Sequence, residues 1–297
     1  MIDAPTRPIL RWHGGKWILA PWIISHFPAH RCYVEPFGGA ASVLLRKARS
    51  YAEVYNDLDG EVVNLFRVAR EHGAELRQRL HLTPFSRIDF AESYEPSEDP
   101  IEQARRTVVR SFMGFGSNSH NKATGFRSNS NRSGTTPAHD WTNYPECLAA
   151  VVERLRGVVI ENRDARQVMA AHDAETTLHY VDPPYVAETR DKGGDYRHEM
   201  TDADHAALAE FLCGLRGMVV VSGYDCPLYA NLYKGWRTEK RRALADGARE
   251  REETLWFSPN CGDTGLFNTS NPTGQPPPRL GGGSVAPGCW ASESKGK

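Results

Sequence analysis

The sequence predicts an α/β fold: a mostly parallel sheet covered by helices and interrupted by an inserted, mainly helical segment. Three observations carry this. Short apolar, β-rich runs alternate with helical periodicity from Ile9 to about Arg70, and again from Val158 through Trp256, as expected of a helix-covered parallel sheet. The stretch from His72 to Leu155 breaks that rhythm. From about Asn260 the chain turns to Gly, Pro, Ser and Asn, a composition that buries no core. The expected organisation is a main domain of 1–71 and 156–259, an insertion of 72–155, and a disordered tail of 260–297.

The elements follow in order. Lys16–Phe27, Ala40–Lys47 and Leu58–Arg70 read as helices, and Cys32–Val34 and Ala52–Tyr55 as the strands between them. The insertion has a helical pattern over Glu102–Met113. Val158–Ile160 and Thr177–Val181 are apolar and β-rich, hence strands. Leu208, Phe211, Leu212 and Leu215 fall on one face of a helix spanning Thr201–Leu215, with Thr201 or Asp202 as its N-cap. Met218–Val221 is a buried strand. Ser222-Gly223-Tyr224 reads as a tight turn packing the sheet, and Trp256 and Phe257 as core.

Composition narrows the function classes. The 297 residues carry a net charge of −1, so any affinity for a polyanion must come from a local patch. The six cysteines are scattered, without Cys-x-x-Cys or a Cys/His cluster, and predict reduced thiols with no metal site. No signal segment or run of ~20 apolar residues is present, which predicts a cytoplasmic protein without a membrane span.

Asp182-Pro183-Pro184-Tyr185 closes the strand Thr177–Val181. Two prolines stop the ladder and leave a carboxylate, a carbonyl and an aromatic ring at its carboxyl end, where open α/β sheets bind ligands. A flat ring bearing an amine, such as adenine, suits that set: it stacks on Tyr185 and donates to Asp182 and the Pro183 carbonyl. The first strand ends at Glu35-Pro36-Phe37-Gly38-Gly39-Ala40, whose small residues let a ligand approach a helix N-terminus. Asp57 follows Gly38 by about twenty residues, a spacing suited to holding ribose hydroxyls. Gly14-Gly15-Lys16 lacks the remainder of a phosphate loop, and Gly-x-Gly-x-x-Gly is absent, so ATP and dinucleotides are disfavoured.

The insertion contains no Asp or Glu from Gln103 to His139, while Arg105, Arg106, Arg110, Lys122, Arg127 and Arg132 are basic and Phe112, Phe115 and Phe126 lie among them. This mixture suits phosphate and base contacts in a groove. Arg110, Lys122, Arg127 and Arg132 are the candidate nucleic-acid contacts, with Arg127 and Arg132 as guanine readers because a guanidinium matches the guanine major-groove edge. A solvated, flexible insertion is the competing reading.

Arg11-Trp12-His13-Gly14-Gly15-Lys16, Val34-Glu35-Pro36-Phe37-Gly38-Gly39, Tyr55-Asn56-Asp57 and Asp182-Pro183-Pro184-Tyr185, in this order and spacing, resemble the Dam-like DNA adenine methyltransferases. The resemblance covers about Ile9 to Pro259. It implies a Rossmann-like methyltransferase sheet with a target-recognition insertion, S-adenosylmethionine as cofactor, double-stranded DNA as substrate, and a prokaryotic or phage source. Trp12 and Lys16 would line the cofactor pocket with Asp182. Glu35, Phe37 and Gly39 would surround its methionine part, Asp57 would hold the ribose, and Asp164 would contact its adenine. Asp182, Pro183, Pro184 and Tyr185 would form the catalytic motif. Ala41 stands where the family commonly has glycine, a change expected to be tolerated. A restriction partner is left open. The rivals are the same chemistry on RNA adenine or on cytosine, and a catalytically silent DNA-binding protein on the same fold.

Overall fold

The computed structural model describes residues 4–116, 123–129, 134–190, 197–244 and 250–262. Seven strands, β1 (Cys32–Glu35), β2 (Ala52–Asn56), β3 (Val158–Glu161), β4 (Thr177–Val181), β5 (Met218–Tyr224), β6 (Arg237–Leu244) and β7 (Glu250–Phe257), form one sheet in the order β3-β2-β1-β4-β5-β7-β6. The first five in that order are parallel, and β7 runs antiparallel to both β5 and β6. The architecture is thus the Rossmann-like one expected, with a reversed strand near one edge. Strand order switches direction between β1 and β4, so their carboxyl ends open a crevice where doubly wound sheets bind ligands.

The helices of the main domain are α1 (Ala20–Ser25), α2 (Ser42–Arg46) and α3 (Gly60–Glu71) before the insertion. The segment 72–155, expected to be an insertion, contributes α4 (Gly73–Leu82), α5 (Arg87–Glu92), α6 (Pro100–Met113), α7 (Pro137–Thr142) and α8 (Tyr144–Leu155). The main domain then resumes with α9 (Ala165–Ala171), α10 (Asp202–Cys213) and α11 (Pro227–Leu232). Among the described residues no helix is long and apolar enough to cross a membrane.

Local chemistry explains the boundaries. Thr201 caps α10 in a reciprocal capping box with Asp204, which satisfies two otherwise orphaned N–H groups. Asp59 and Asp99 cap α3 and α6 by accepting from Glu61 N and Ile101 N. The helix expected over Lys16–Phe27 is shorter, because Pro21 lacks an N–H and favours the first turn. Ser222-Gly223-Tyr224 is not a turn: these residues continue β5 beside β7, since β7 supplies a partner for that stretch of backbone. The tail expected to be disordered lies, from residue 263, outside the described residues.

The insertion helices do not stand apart from the sheet. Val108 and Val109 of α6 and Leu148 and Leu155 of α8 share one apolar core with Tyr33, Tyr55, Val62 and Phe66. Val34, Val181, Val219 and Val221 contribute to a second cluster with α9, α10 and α11. The N-terminal segment is tied to α6 through Arg11 N donating to Ser111 Oγ at 2.8 Å and the Arg11 guanidinium donating to the Gly114 carbonyl at 3.2 Å.

A buried ion triad joins α8 to the sheet. Arg154 of α8 contacts Glu53 of β2 at 2.6 and 2.9 Å, and Lys47 approaches the same carboxylate at 3.0 Å. Removing one partner of such a buried cluster leaves charge poorly compensated. Arg154→Ala is expected to lower the unfolding free energy by about 3 kcal/mol in urea titration; a change within error of zero would contradict this linkage.

Candidate active site

The crevice between the ends of β1 and β4 leads into a cavity of about 330 Å³. Trp12, Phe37, Gly39, Asp57, Asp164 and Asp182 all line it, although they come from five separate parts of the chain. Pro183, Pro184, Lys16 and Glu35 line it as well.

One wall is the turn after β1. Gly39 adopts φ +47°, and a Cβ there would lie 2.5 Å from the Trp12 indole nitrogen; only glycine accommodates both demands. A Cβ on Gly38 would lie 2.2 Å from the Tyr55 ring. The two glycines therefore let the turn lie flat against Trp12 and Tyr55. Ala41 has φ +52°, the left-handed region, at the start of α2. The Tyr55 hydroxyl donates to the Gly39 carbonyl at 2.8 Å, and Gly38 N donates to the Asn56 carbonyl at 2.8 Å.

Acidic groups order this wall. Glu35 accepts from the Tyr33 hydroxyl at 2.7 Å and from Leu44 N at 2.9 Å, so its carboxyl anchors the first turn of α2. Burial pushes its pKa up to about 8 against those two hydrogen bonds. Asp57 accepts from Gly39 N at 2.7 Å and from Asp59 N at 2.8 Å. Burial raises its pKa to about 6, opposed by the same two bonds. The Asn56 amide donates to the Pro36 and Arg163 carbonyls at 2.8 and 3.0 Å, which ties the β1 turn to the loop bearing Asp164. Asp164 caps α9 by accepting from Arg166 N at 2.9 Å and pairs with the Arg166 guanidinium at 3.3 Å.

The facing wall is the Asp182-Pro183-Pro184 turn, while Tyr185, next in the chain, is buried and does not line the cavity. Ser222 donates to Asp182 Oδ1 at 2.7 Å, while Lys16 Nζ lies 3.0 Å from Oδ2. Lys16 also donates to the Gly14 carbonyl at 2.7 Å and sits 4.6 Å from the Tyr185 ring centroid, a cation–π contact. Tyr185 is buried, packs edge-on against Tyr224 with 4.7 Å between centroids, and donates its hydroxyl to Glu253. The sequence reading placed Ser222 in a tight turn and passed over Glu253. Ser222 lies beside Asp182 because β5 pairs with β4, and Glu253 reaches Tyr185 from the reversed β7.

The expected DNA contacts fare differently. Arg110 is buried, pairs with Glu61 of α3 and lies 5.7 Å from the Tyr94 ring centroid. Its guanidinium packs α6 against α3, which corrects the expectation that it meets phosphate. Arg105 and Arg106 of the basic run likewise pair with Glu102 at 2.7 and 2.8 Å. The half-buried Arg127 donates to the Phe112 carbonyl at 3.0 Å, returning the loop to the end of α6. Lys122 and Arg132 lie outside the described residues. Phe126 packs on Phe85 and Phe90, whereas Phe115 is 73 % exposed.

The crevice thus presents a carboxylate at the end of β2, a flat glycine turn at a helix start, and an aromatic wall. Comparison with known proteins identifies the family. Residues 12–245 match the family model for D12 class N6 adenine-specific DNA methyltransferases. A DNA adenine methylase of Escherichia coli K12 is 26% identical over 268 residues, covering 84% of this chain and 94% of the relative. A DNA adenine methylase of Serratia marcescens is 25% identical, covering 77% and 87%, and one of Haemophilus influenzae 23% identical, covering 82% and 90%. With four motifs on one crevice and a match spanning most of the chain, this protein belongs to the D12 class of N6 adenine-specific DNA methyltransferases.

Proposed function

We propose that this chain methylates the exocyclic amine of adenine at a specific sequence in double-stranded DNA, using S-adenosylmethionine. The observation that carries the residue assignment is the Asp182 carboxylate, hydrogen-bonded by Ser222 and Lys16 at the rim of the cavity that Asp57 and Gly39 line from the other side. When bound, S-adenosylmethionine supplies an electrophilic methyl group on a sulfonium. Trp12, Phe37 and Gly39 would form its surround, Asp57 would meet the ribose hydroxyls, and Asp164 would face the adenine of the cofactor.

The chemistry asked of the protein is modest. The lone pair of the adenine amine is delocalised into the ring, which makes it a poor nucleophile. Asp182 and the Pro183 carbonyl accept its two hydrogens and draw the nitrogen toward a pyramidal shape. Asp182 also stabilises positive charge developing on that nitrogen and is placed to receive the proton it sheds. The Pro183-Pro184 pair holds the turn rigid, since each ring fixes its own φ. Flipping the adenine from the duplex costs a few kcal/mol, and stacking on Tyr185 returns ~1–3 kcal/mol.

Sequence recognition falls to the insertion 72–155, with the segment 114–136 as its reading loop. Replacing 114–136 with the corresponding segment of a relative of different specificity is expected to change the methylated sequence; an unchanged target would count against the assignment.

Transfer of radiolabelled methyl from S-adenosylmethionine into unmethylated duplex DNA tests the reaction. Asp182→Ala is expected to lower the single-turnover rate at saturating cofactor by about 10²–10³-fold, the usual cost of deleting one preorganised electrostatic group. Full activity in Asp182→Ala would remove Asp182 from the mechanism. Cofactor affinity should rise with pH through about 6, because Asp57 is raised to about 6 and only its ionised form leaves both oxygens as acceptors. Asp57→Asn should flatten that dependence and weaken binding about tenfold or more. A flat profile in the parent protein would contradict the role of Asp57.

A further inference from the structure

The reversed strand β7 brings a second carboxylate to the methyl-transfer centre. Strand alternation turns Glu252 to solvent, where it pairs with Lys240 at 3.1 Å, and Glu253 inward, where it is 3 % exposed. Glu253 accepts the Tyr185 hydroxyl and lies 3.9 Å from Lys16 Nζ. Lys16 is thus shared between two acids, nearer to Asp182 at 3.0 Å than to Glu253.

The Lys16 ammonium makes the contacts assigned to a target amine: a hydrogen bond to Asp182 and a place over the Tyr185 ring. Ammonium and target base therefore compete for one position. An incoming adenine must displace that cation from Asp182, and a buried ammonium drawn away from its carboxylate is unfavourable even while it keeps the Gly14 carbonyl. Glu253 removes that obstacle. A swing of about 1 Å about the unbranched lysine stem converts the 3.9 Å approach into a normal charge-assisted hydrogen bond. Burial raises the Glu253 pKa to about 7, with Lys16 opposing the rise, so a closer ammonium favours its ionised form. Asp182, Tyr180 and Tyr185 also face it, with Tyr224 and Arg241 as its cross-strand neighbours on β5 and β6.

We propose that Glu253 is a positioning residue for methyl transfer, holding the Tyr185 ring through its hydroxyl and receiving the Lys16 ammonium when the target amine takes Asp182. The proposal rests on the assignment of Asp182 to the adenine amine. It keeps the ammonium paired with a carboxyl group in both states, by moving one cation between two acids.

Single-turnover methylation of unmethylated genomic DNA with radiolabelled S-adenosylmethionine tests this on the full-length protein. Glu253→Gln keeps an acceptor for the Tyr185 hydroxyl but removes the charge, and Glu253→Asp keeps the charge. The Gln variant is expected to lose about 10²-fold in rate, the scale of a misplaced reacting group, with cofactor affinity and melting temperature near those of the parent. The Asp variant should recover at least tenfold of that loss. In a Lys16→Met background, Glu253→Gln should cost less than twofold, whereas a purely structural carboxyl would cost the same in both backgrounds. Parent-like rates in Glu253→Gln, equal losses in the Gln and Asp variants, or an undiminished cost without Lys16 would each overturn the proposal. If Asp182→Ala is also fully active, the assignment of Asp182 fails; if it is inactive while Glu253→Gln is parent-like, only the role of Glu253 fails.

Discussion

Lys16 carries its ammonium into a buried compartment between Asp182 and Glu253, over the face of Tyr185. Away from water, a charge is tolerated only with partners, and here the partners are the groups proposed to act in methyl transfer. Without the ammonium, two carboxyls would face each other around one tyrosine, and at least one would hold its proton. The contact also spans the molecule: Lys16 comes from the N-terminal segment, Asp182 from the end of β4 and Glu253 from β7. The centre exists only when the whole sheet has assembled.

The rest of the architecture serves that convergence. The switch in strand order between β1 and β4 sets the Gly38-Gly39 turn opposite the Asp182 turn. The glycines permit contact distances to Trp12 and Tyr55 that no side chain would allow. Asn56 bonds the β1 turn to the Arg163 loop, so three strand ends keep a fixed spacing around the cavity. On the other side, the Arg11–Ser111 and Arg154–Glu53 contacts fasten the insertion to the elements that carry Trp12, Lys16 and Asp57. A rigid floor of this kind suits a reaction in which the protein supplies orientation and the cofactor the reactive group.

Much of the fold and one half of the site were legible in the sequence because their chemistry is local. Val34, Val54, Val181 and Val221 mark buried parallel strands, and the residues that end such strands line the crevice by topology alone. The charged hairpin was not legible. Arg237–Leu244 is mostly charged and shows no apolar alternation, yet it forms the edge strand β6 beside β7, the strand that carries Glu253. Ser222 was read as a turn for the same reason, since β7 is what extends β5. Arg110 shows the converse error. In sequence it is a cation in an acid-free stretch, but α3 brings Glu61 from 49 residues away to pair with it. Charge along the chain predicts charge on the surface only where folding adds no counterion.

The most direct measurement of the central claim is a map of modified bases in DNA from a methylation-free host expressing the chain, beside an Asp182→Ala control. The account predicts N6-methyladenine confined to one short sequence motif and absent from the control. Unmodified DNA from both hosts, with folded protein present, would contradict it.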